Sequence, residues 1–463
     1  MQLNIEKLVY GGDGLARLID PGETCAGDAQ DKPPRGKAVF VPFVLPGEQV
    51  EARPIEEKTG FIRAALEKVL SPSPQRIAPL CPYFQRCGGC HYQYADYTNQ
   101  LAIKRQILRE TLERTAKIKW EGEIHLHPSP PWGYRNRTRM KVAASPFALG
   151  YYRHSSHDLL AVESCPISSP LINRAIAAMW ALGRSGDFAN ASLSEIEFFA
   201  DHTDARLMLE LYASEAGPKE AARKQDWEKL AAKLRAHLPT GAIAVFSKPN
   251  PAKKSSAGKN AATTDGVSHD LQLDYCWQPE PFIYETRVTR YQVSPGSFFQ
   301  TNRFLIERIV EIVCAQARGK LALDLYAGVG LFSSVLAKTF ERVEAVEVAP
   351  ASCNDLQKNV PQNVRLHSVT TAAYLKSAAA PRKADLVVVD PPRAGLGTEV
   401  ARNLAALAPA RLTYVSCDPA TLARDLTVFL QSGYALDQVH LVDLFPQTYH
   451  IETVVQLTRK SAA

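Results

Sequence analysis

The chain has 463 residues, 46% apolar and 22% charged, proportions that exclude a disordered or collagen-like chain and predict roughly two to four packed domains. No apolar run reaches the roughly 18 residues a membrane helix needs, and the opening MQLNIEKLVYGG lacks the basic-then-apolar order of a signal peptide, so a cytoplasmic location is expected. The net charge is +6, but residues 1–75 hold 9 Lys+Arg against 11 Asp+Glu while residues 76–150 hold 12 against 5, so any polyanion-binding surface is expected in the second segment.

Residues 1–72 read as a small all-β unit. YGGDGLARL and KAVFVPFVLPGEQVEARP are short alternating runs broken by Gly and Pro, and the polar stretch 20–37 reads as a loop. After the linker SPSPQ comes a segment with Cys81, Cys87 and Cys90, then TNQLAIKRQILRETLERTA, whose apolar residues recur at helical spacing. A mixed, strand-rich α+β domain is expected over 76–290, with a low-complexity surface insertion at 247–266. From 291 the pattern changes. FLIERIVEIVCAQARG predicts an amphipathic helix ending in Gly. The apolar strands LALDLYA, VEAVEV, VRLHSV, DLVVVD and LTYVSC then alternate with helical stretches such as LFSSVLAKTF and ATLARDLTVFLQSG, which predicts a doubly wound parallel sheet over 291–463. No helix separates ALDQVHLVDLF from HIETVVQLTR, so an antiparallel hairpin should close it.

The first of these strands ends in Asp324-Leu325-Tyr326-Ala327-Gly328-Val329-Gly330. A Gly-rich turn there lets backbone approach a ligand at the topological switch point, and Glu347, ending the next strand, suits ribose hydroxyls. Ser333 stands where the dinucleotide fingerprint has its third Gly, so an adenosine-type ligand without pyrophosphate fits better than a dinucleotide. Asp390-Pro391-Pro392-Arg393 and Ser416-Cys417-Asp418-Pro419 follow two further strands. Their prolines cannot continue a ladder, so Asp390 and Cys417 are presented at the ligand edge. Cys417 also precedes a helix start, whose dipole favours a thiolate. The hairpin brings Glu452 to the same edge, so a nucleophile and a proton acceptor meet.

Nine cysteines, an odd number in a large chain, argue against a disulfide framework. Cys81, Cys87 and Cys90 read as ligands, with spacing alone leaving zinc and an iron–sulfur cluster open. The cysteines at 25, 276, 314 and 353 read as bystanders. YRNRTRMKV places Arg135, Arg137, Arg139 and Lys141 at period two, which on a strand makes either a phosphate track or a solvated face.

Together, D-L-Y-A-G-V-G-L-F, D-P-P-R, S-C-D-P and F-P-Q-T-x-H-I-E, in this order, closely resemble the RNA 5-methyluridine methyltransferases. S-P-G-S-F-F-Q-T-N (294–302) is similar to the segment before that family's cofactor loop, and the resemblance runs along nearly the whole chain. It implies a class I S-adenosylmethionine (SAM)-dependent, Rossmann-like domain at the C-terminus. It also implies an OB-like TRAM barrel for RNA binding at 1–72, and a [4Fe–4S] cluster on Cys81, Cys87, Cys90 and Cys165. By the same resemblance Gln300, Tyr326, Gly328, Glu347 and Asp390 fall at SAM-site positions, Cys417 at the nucleophile, Glu452 at the base and Phe298 beside the target base. No carboxylate follows the third strand, RLHSVTTAAYL, which leaves the adenine contact unassigned. The substrate implied is 23S rRNA, with tRNA or a non-catalytic RNA-binding role as alternatives; a monomer is expected. An amino-methyltransferase is disfavoured, since Arg393 rather than an aromatic follows the Pro-Pro pair and Cys417 would then have no purpose.

Overall fold

Alternation of small apolar residues with polar ones builds the N-terminal sheet. In the computed structural model, which describes residues 1–18, 36–188, 192–213, 220–248, 271–381 and 383–460, this sheet comprises β1 (Gln2–Asn4), β2 (Lys7–Leu8), β3 (Asp13–Leu18), β4 (Lys37–Pro42), β5 (Gln49–Glu57) and β6 (Phe61–Ser71). They pair in the order β1-β5-β6-β4-β3-β2. Its core is Leu3, Ile5, Ala16, Val39, Val41, Val44, Val50, Ala52, Ile62 and Ala64. A Cβ on Gly14 would lie 2.3 Å from Val44 Cγ2, so the sheet closes on its loop only with glycine there. Buried Glu48 accepts from Leu45 N and Ser73 N and forms a two-pronged pair with Arg76 at 2.5 and 2.7 Å. Burial pushes this carboxyl up, but those partners outweigh it and hold it below the usual value. The expected loops at 20–37 and 247–266, and Cys25, lie outside the described residues save for the loop ends.

The described residues form two units: Met1–Glu110 with Arg153–Ser156 and Phe445–His450, and the remainder. The helix expected after the cysteines is α1 (Tyr97–Ala116), started by Asp96 Oδ1, which accepts Asn99 N at 2.9 Å. In the second unit, β7 (Ile124–His127) is followed by β8 (Arg137–Ala144), β9 (Phe147–Tyr152), β10 (Leu159–Ala161), α2 (Pro170–Arg184), β11 (Leu193–Ala200), β12 (Leu207–Ala213), α3 (Glu220–His237), β13 (Thr240–Ser247) and β14 (Gln272–Trp277). Strands β8 to β14 make a seven-stranded sheet, β10-β9-β8-β11-β12-β13-β14. The short hairpin β15 (Ile283–Glu285) and β16 (Arg290–Gln292) follows.

The last sheet is built from β17 (Gly319–Leu325), β18 (Phe340–Glu347), β19 (Val364–Ser368), β20 (Leu386–Val389), β21 (Arg411–Ser416), β22 (Tyr434–Val442) and β23 (Glu452–Arg459), in the order β19-β18-β17-β20-β21-β23-β22-β7. Strands β17 to β21 are parallel, and β23 runs antiparallel to both β21 and β22. This is the doubly wound sheet with a closing hairpin that the sequence predicts. Continuous apolar runs such as Leu386–Val389, buried at every position, mark strands covered on both faces. The preceding helix α4 (Ile306–Val313) is shorter than its periodicity suggests, ending at Cys314, with Gln316 in the left-handed region. The intervening helices are α5 (Ser333–Leu336), α6 (Pro350–Asn359), α7 (Thr371–Lys376), α8 (Gly397–Leu407) and α9 (Pro419–Gln431). The order in which strands are added reverses between β17 and β20, which puts the ligand crevice at their C-terminal ends. Among the described residues, no helix is long and apolar enough to cross a membrane.

At the far edge, β7 pairs parallel to β22 and brings two histidines together. Arg308 Nε donates to His127 Nδ1 at 3.1 Å, so the His127 ring hydrogen sits on Nε2 and donates to His440 Nδ1 at 3.1 Å. His440 Nε2 in turn donates to Gln438 Oε1 at 3.0 Å. Burial, then the neighbouring cations and histidines, lower both rings to about 4. The folded state therefore binds fewer protons than the unfolded chain between those values and the ordinary 6.5, and stability conferred above pH 6.5 is lost as pH falls through about 4. We expect a loss of about 2–4 kcal/mol across that window, visible as a falling melting temperature. A double His127→Gln, His440→Gln variant should lack this part of the pH dependence.

Candidate active site

Strand register assembles the site. Leu325, the last residue of β17, lies opposite Val346 and Val389, so Tyr326, Glu347 and Asp390 emerge at one edge, and Asp390 N donates to Leu325 O at 3.3 Å. Strand β21 pairs with β23 through Ser416 and Thr453. Cys417 follows the last residue of β21 and Glu452 is the first of β23, so both fall just beyond that pair, and Glu452 and Asp390 both act electrostatically on the Cys417 thiol. The structure thus gathers Asp390, Cys417 and Glu452, as the sequence predicts.

The cofactor side of the edge is a strained turn. Tyr326, Gly328 and Gly330 have φ of 66°, 55° and 89°. Nothing lies within 4 Å of where a Gly328 Cβ would stand, leaving open space over the backbone. Gly328 N donates to Glu347 Oε2 at 2.9 Å, and Val348 N and Ala349 N donate to Oε1 at 2.8 and 2.7 Å. A carboxylate offers about four acceptor sites, so capacity for a ribose hydroxyl remains. Asp324 is fully buried and accepts Ser333 Oγ at 2.5 Å, which explains a serine where the fingerprint has glycine. Its Oδ1 is buried with no hydrogen-bond partner among the described residues. These features fit an adenosine-bearing, cationic ligand such as SAM. Phe298, 57% exposed, and buried Gln300 lie on the segment before α4.

The electrostatics differ from the expected helix-dipole effect on Cys417. Helix α9 does start there, capped by Asp418, whose Oδ1 accepts Ala420 N and Thr421 N at 2.9 and 3.0 Å. Burial and then Glu452 nevertheless push the Cys417 thiol up to about 12, with Asp390 and Asp418 adding to the rise and Arg393 opposing it. Burial raises Asp324 to about 6, and burial with Asp324 raises Asp390 to about 7. Burial, then Asp390, holds Glu452 well above the carboxylate range, again against Arg393. Like charges in one dry edge outweigh a partial dipole charge. Sequence reasoning noted Arg393 only as a residue that is not aromatic; its place in D-P-P-R was the available signal for this counter-cation. It is held by α9, where Thr421 Oγ1 donates to Arg393 O at 3.2 Å and Arg424 donates to Ala394 O at 2.8 Å.

The basic strand also differs from expectation. In β8, Arg139 and Lys141 lie opposite Glu197 and Glu195 of β11, and Arg137 opposite Phe199. Arg137 is buried and paired with Glu197 and Glu210, Arg139 with Glu197 and Glu195, and Lys141 with Glu195. Arg135, just before the strand, is bridged to Ser168 and Asn302. Three of the four cations of the expected open track, Arg137, Arg139 and Lys141, form an ion-pair ladder, because β11 presents carboxylates at the same period. The alternation in SEIEFF was the signal for it.

Cys81, Cys87 and Cys90 lie in the first unit on a run of turns, and Gly89 N donates to Cys87 Sγ at 3.4 Å, as amides do to metal-bound thiolates. That soft donor set fits an iron–sulfur group. Among the described residues, however, no group of three or more His, Cys, Asp or Glu is arranged to hold a single metal ion. Cys165 lies in the second unit, its N–H donating to Asn173 Oδ1 at 2.8 Å. Cys276 is exposed, Cys314 partly so, and Cys353 is buried.

The family model described as tRNA (Uracil-5-)-methyltransferase matches residues 96–460. The chain belongs to that family. As an RNA uracil-5-methyltransferase it uses SAM. An "Uncharacterized RNA methyltransferase" of Aquifex aeolicus is 33% identical over 470 residues, covering 99% of each chain. The 23S rRNA (uracil(1939)-C(5))-methyltransferase of Pectobacterium atrosepticum is 30% identical over 436 residues, covering 90% of this chain and 88% of the relative. Among solved structures, the Pyrococcus abyssi tRNA (uracil-54, C5)-methyltransferase with S-adenosyl-L-homocysteine has a TM-score of 0.70 at 22% identity, covering 99% of this chain and 100% of that one; the likeness is one of fold.

For this methyltransferase the raised thiol predicts slow alkylation. At pH 7 a thiol near 12 is ionised in about 1 molecule in 10⁵. Iodoacetamide labelling of Cys417 in the RNA-free protein should rise about tenfold per pH unit from 7 to 10, read by peptide mass spectrometry; a plateau below pH 8 would contradict the electrostatic account.

Proposed function

We propose that the protein methylates carbon 5 of a uridine in 23S rRNA through a covalent Cys417 adduct, with Glu452 accepting the carbon-5 proton. The observation that carries this is that β21 and β23 pair up to Ser416 and Thr453, so that Cys417 and Glu452 follow at the same edge, where Glu452 and Asp390 both act on the Cys417 thiol. The Pectobacterium relative's substrate favours ribosomal RNA; tRNA is the second reading, favoured by the family description.

Carbon 5 of uracil is a weak nucleophile. Addition of the Cys417 sulfur to carbon 6 converts the ring to an enolate and makes carbon 5 reactive. SAM, when bound, supplies the electrophilic methyl group. Glu452, once its own proton has passed to solvent, takes the proton from carbon 5 as a carboxylate made more basic by burial, and the Cys417 sulfur leaves carbon 6 as the ring's double bond re-forms. The raised thiol means that sulfur attack requires proton loss within the site. Asp390, near 7, orients Cys417 and is poised to share that proton. Arg393 offsets the negative charge that develops. Gln300, Tyr326, Gly328 and Glu347 hold the cofactor, and Phe298 stacks on a target base taken out of its helix. The N-terminal β unit acts as an RNA-binding barrel of TRAM type. Cys81, Cys87 and Cys90 are ligands of a structural [4Fe–4S] cluster; no step of the reaction runs through it.

With methyl-labelled SAM and unmodified transcripts, labelled 5-methyluridine should appear in 23S rRNA and be lost at least 10³-fold in Cys417→Ala. Label in tRNA alone would move the substrate to the second reading. Glu452→Gln should accumulate an RNA adduct that survives denaturing gels; a folded variant forming no adduct would place Glu452 before addition. Anaerobically purified protein should be brown, with iron and sulfide about four each per chain. Bound zinc without iron would reject the cluster.

A further inference from the structure

We propose that Arg137 is a positioning residue for the reaction: with Glu210 it clamps the turn at 294–300 that carries Phe298 and Gln300. The inference rests on the roles proposed above for those two residues.

The turn has few partners of its own. Ser297 N donates to Ser294 O at 3.0 Å, and Gly296 sits at φ 85°, a conformation other residues resist. Its shape is imposed from three directions. Arg137 donates to Ser297 O at 2.6 Å and to Glu210 Oε1 at 3.3 Å, and the same Oε1 accepts Gly296 N at 2.9 Å. The backbone of the adjoining residues continues this grip, with Asn136 N donating to Thr301 O and Arg303 N to Tyr134 O, each at 3.0 Å. From helix α6, Asp355 accepts Ser294 N, Ser294 Oγ and Ser297 Oγ at 2.7, 2.6 and 2.6 Å. Beyond the turn, Asn302 Nδ2 donates to Leu444 O at 3.0 Å.

Phe298 is therefore an exposed aromatic between two fixed points. Burying a guanidinium with two carboxylates costs desolvation, and replacement by apolar groups is often neutral or stabilising. A buried Arg137 that donates to a backbone carbonyl of this turn is thus better explained by geometry than by stability. A misplacement of about 1 Å at a reacting centre can cost 10²-fold in rate.

The test uses the full-length protein and two variants. Arg137→Lys keeps the charge but loses the fork. Arg137→Met with Glu197→Gln removes the guanidinium without leaving Glu197 charged and unpaired. Hydrogen exchange of peptide 294–302, binding of S-adenosylhomocysteine, and kcat and KM on RNA transcripts are measured. Cys417 alkylation at pH 9 reports on the rest of the site. The proposal expects faster exchange confined to 294–302, KM for RNA and cofactor raised about tenfold or more, and Cys417 labelling within about twofold of the parent. Unchanged exchange in a folded variant overturns the clamp itself. Faster exchange with parental kinetics overturns the positioning role; where Phe298→Ala and Gln300→Ala also keep parental kinetics, the roles proposed for those two residues fail as well.

Discussion

Four acids, Asp324, Asp390, Glu452 and the Cys417 thiol, share one buried sheet edge and cannot all carry negative charge there. Burial raises all four, Asp324 adds to the rise of Asp390, Asp390 to that of Glu452 and Cys417, and Glu452 to that of Cys417, because water that would screen them is excluded. Burial and the neighbouring acids thus favour the protonated form of the Cys417 thiol. Such an edge favours a cationic group, and the sulfonium of SAM is one. A thiol held in its protonated form is also protected from adventitious alkylation and oxidation.

That crowding is a product of topology. Parallel strands β17, β18 and β20 deliver their last residues to one side, and only a reversal of direction brings the start of another strand to the same place. The antiparallel return of β23 beside β21 does this. The prolines after Asp390 and Cys417 keep each strand from continuing past those side chains.

The seven-stranded sheet contributes indirectly. Its arginines and lysine are neutralised by carboxylates one strand away, so the positive charge of residues 76–150 is not a free field along β8. Arg137, buried between Glu197 and Glu210, also donates to Ser297 O, next to the exposed Phe298 in the chain.

Much of this was legible in the sequence. The doubly wound sheet shows in apolar runs bounded by Gly and Pro, because a strand buried on both faces tolerates little else. The hairpin shows in the absence of a helix, and the site in residues fixed at strand ends. Helix α4 was overestimated because apolar periodicity continues past Val313 while the backbone turns at Cys314 and Gln316. The sign of the Cys417 shift and the pairing of Arg137 were not legible. Both depend on carboxylates distant in sequence and adjacent in space, and a strand's own period cannot reveal what its neighbour presents. Residue order along the chain sets which groups are offered and where each strand stops. Which of their charges face one another follows only from the packed fold, since electrostatic energy in a dry interior is set by through-space distance and burial.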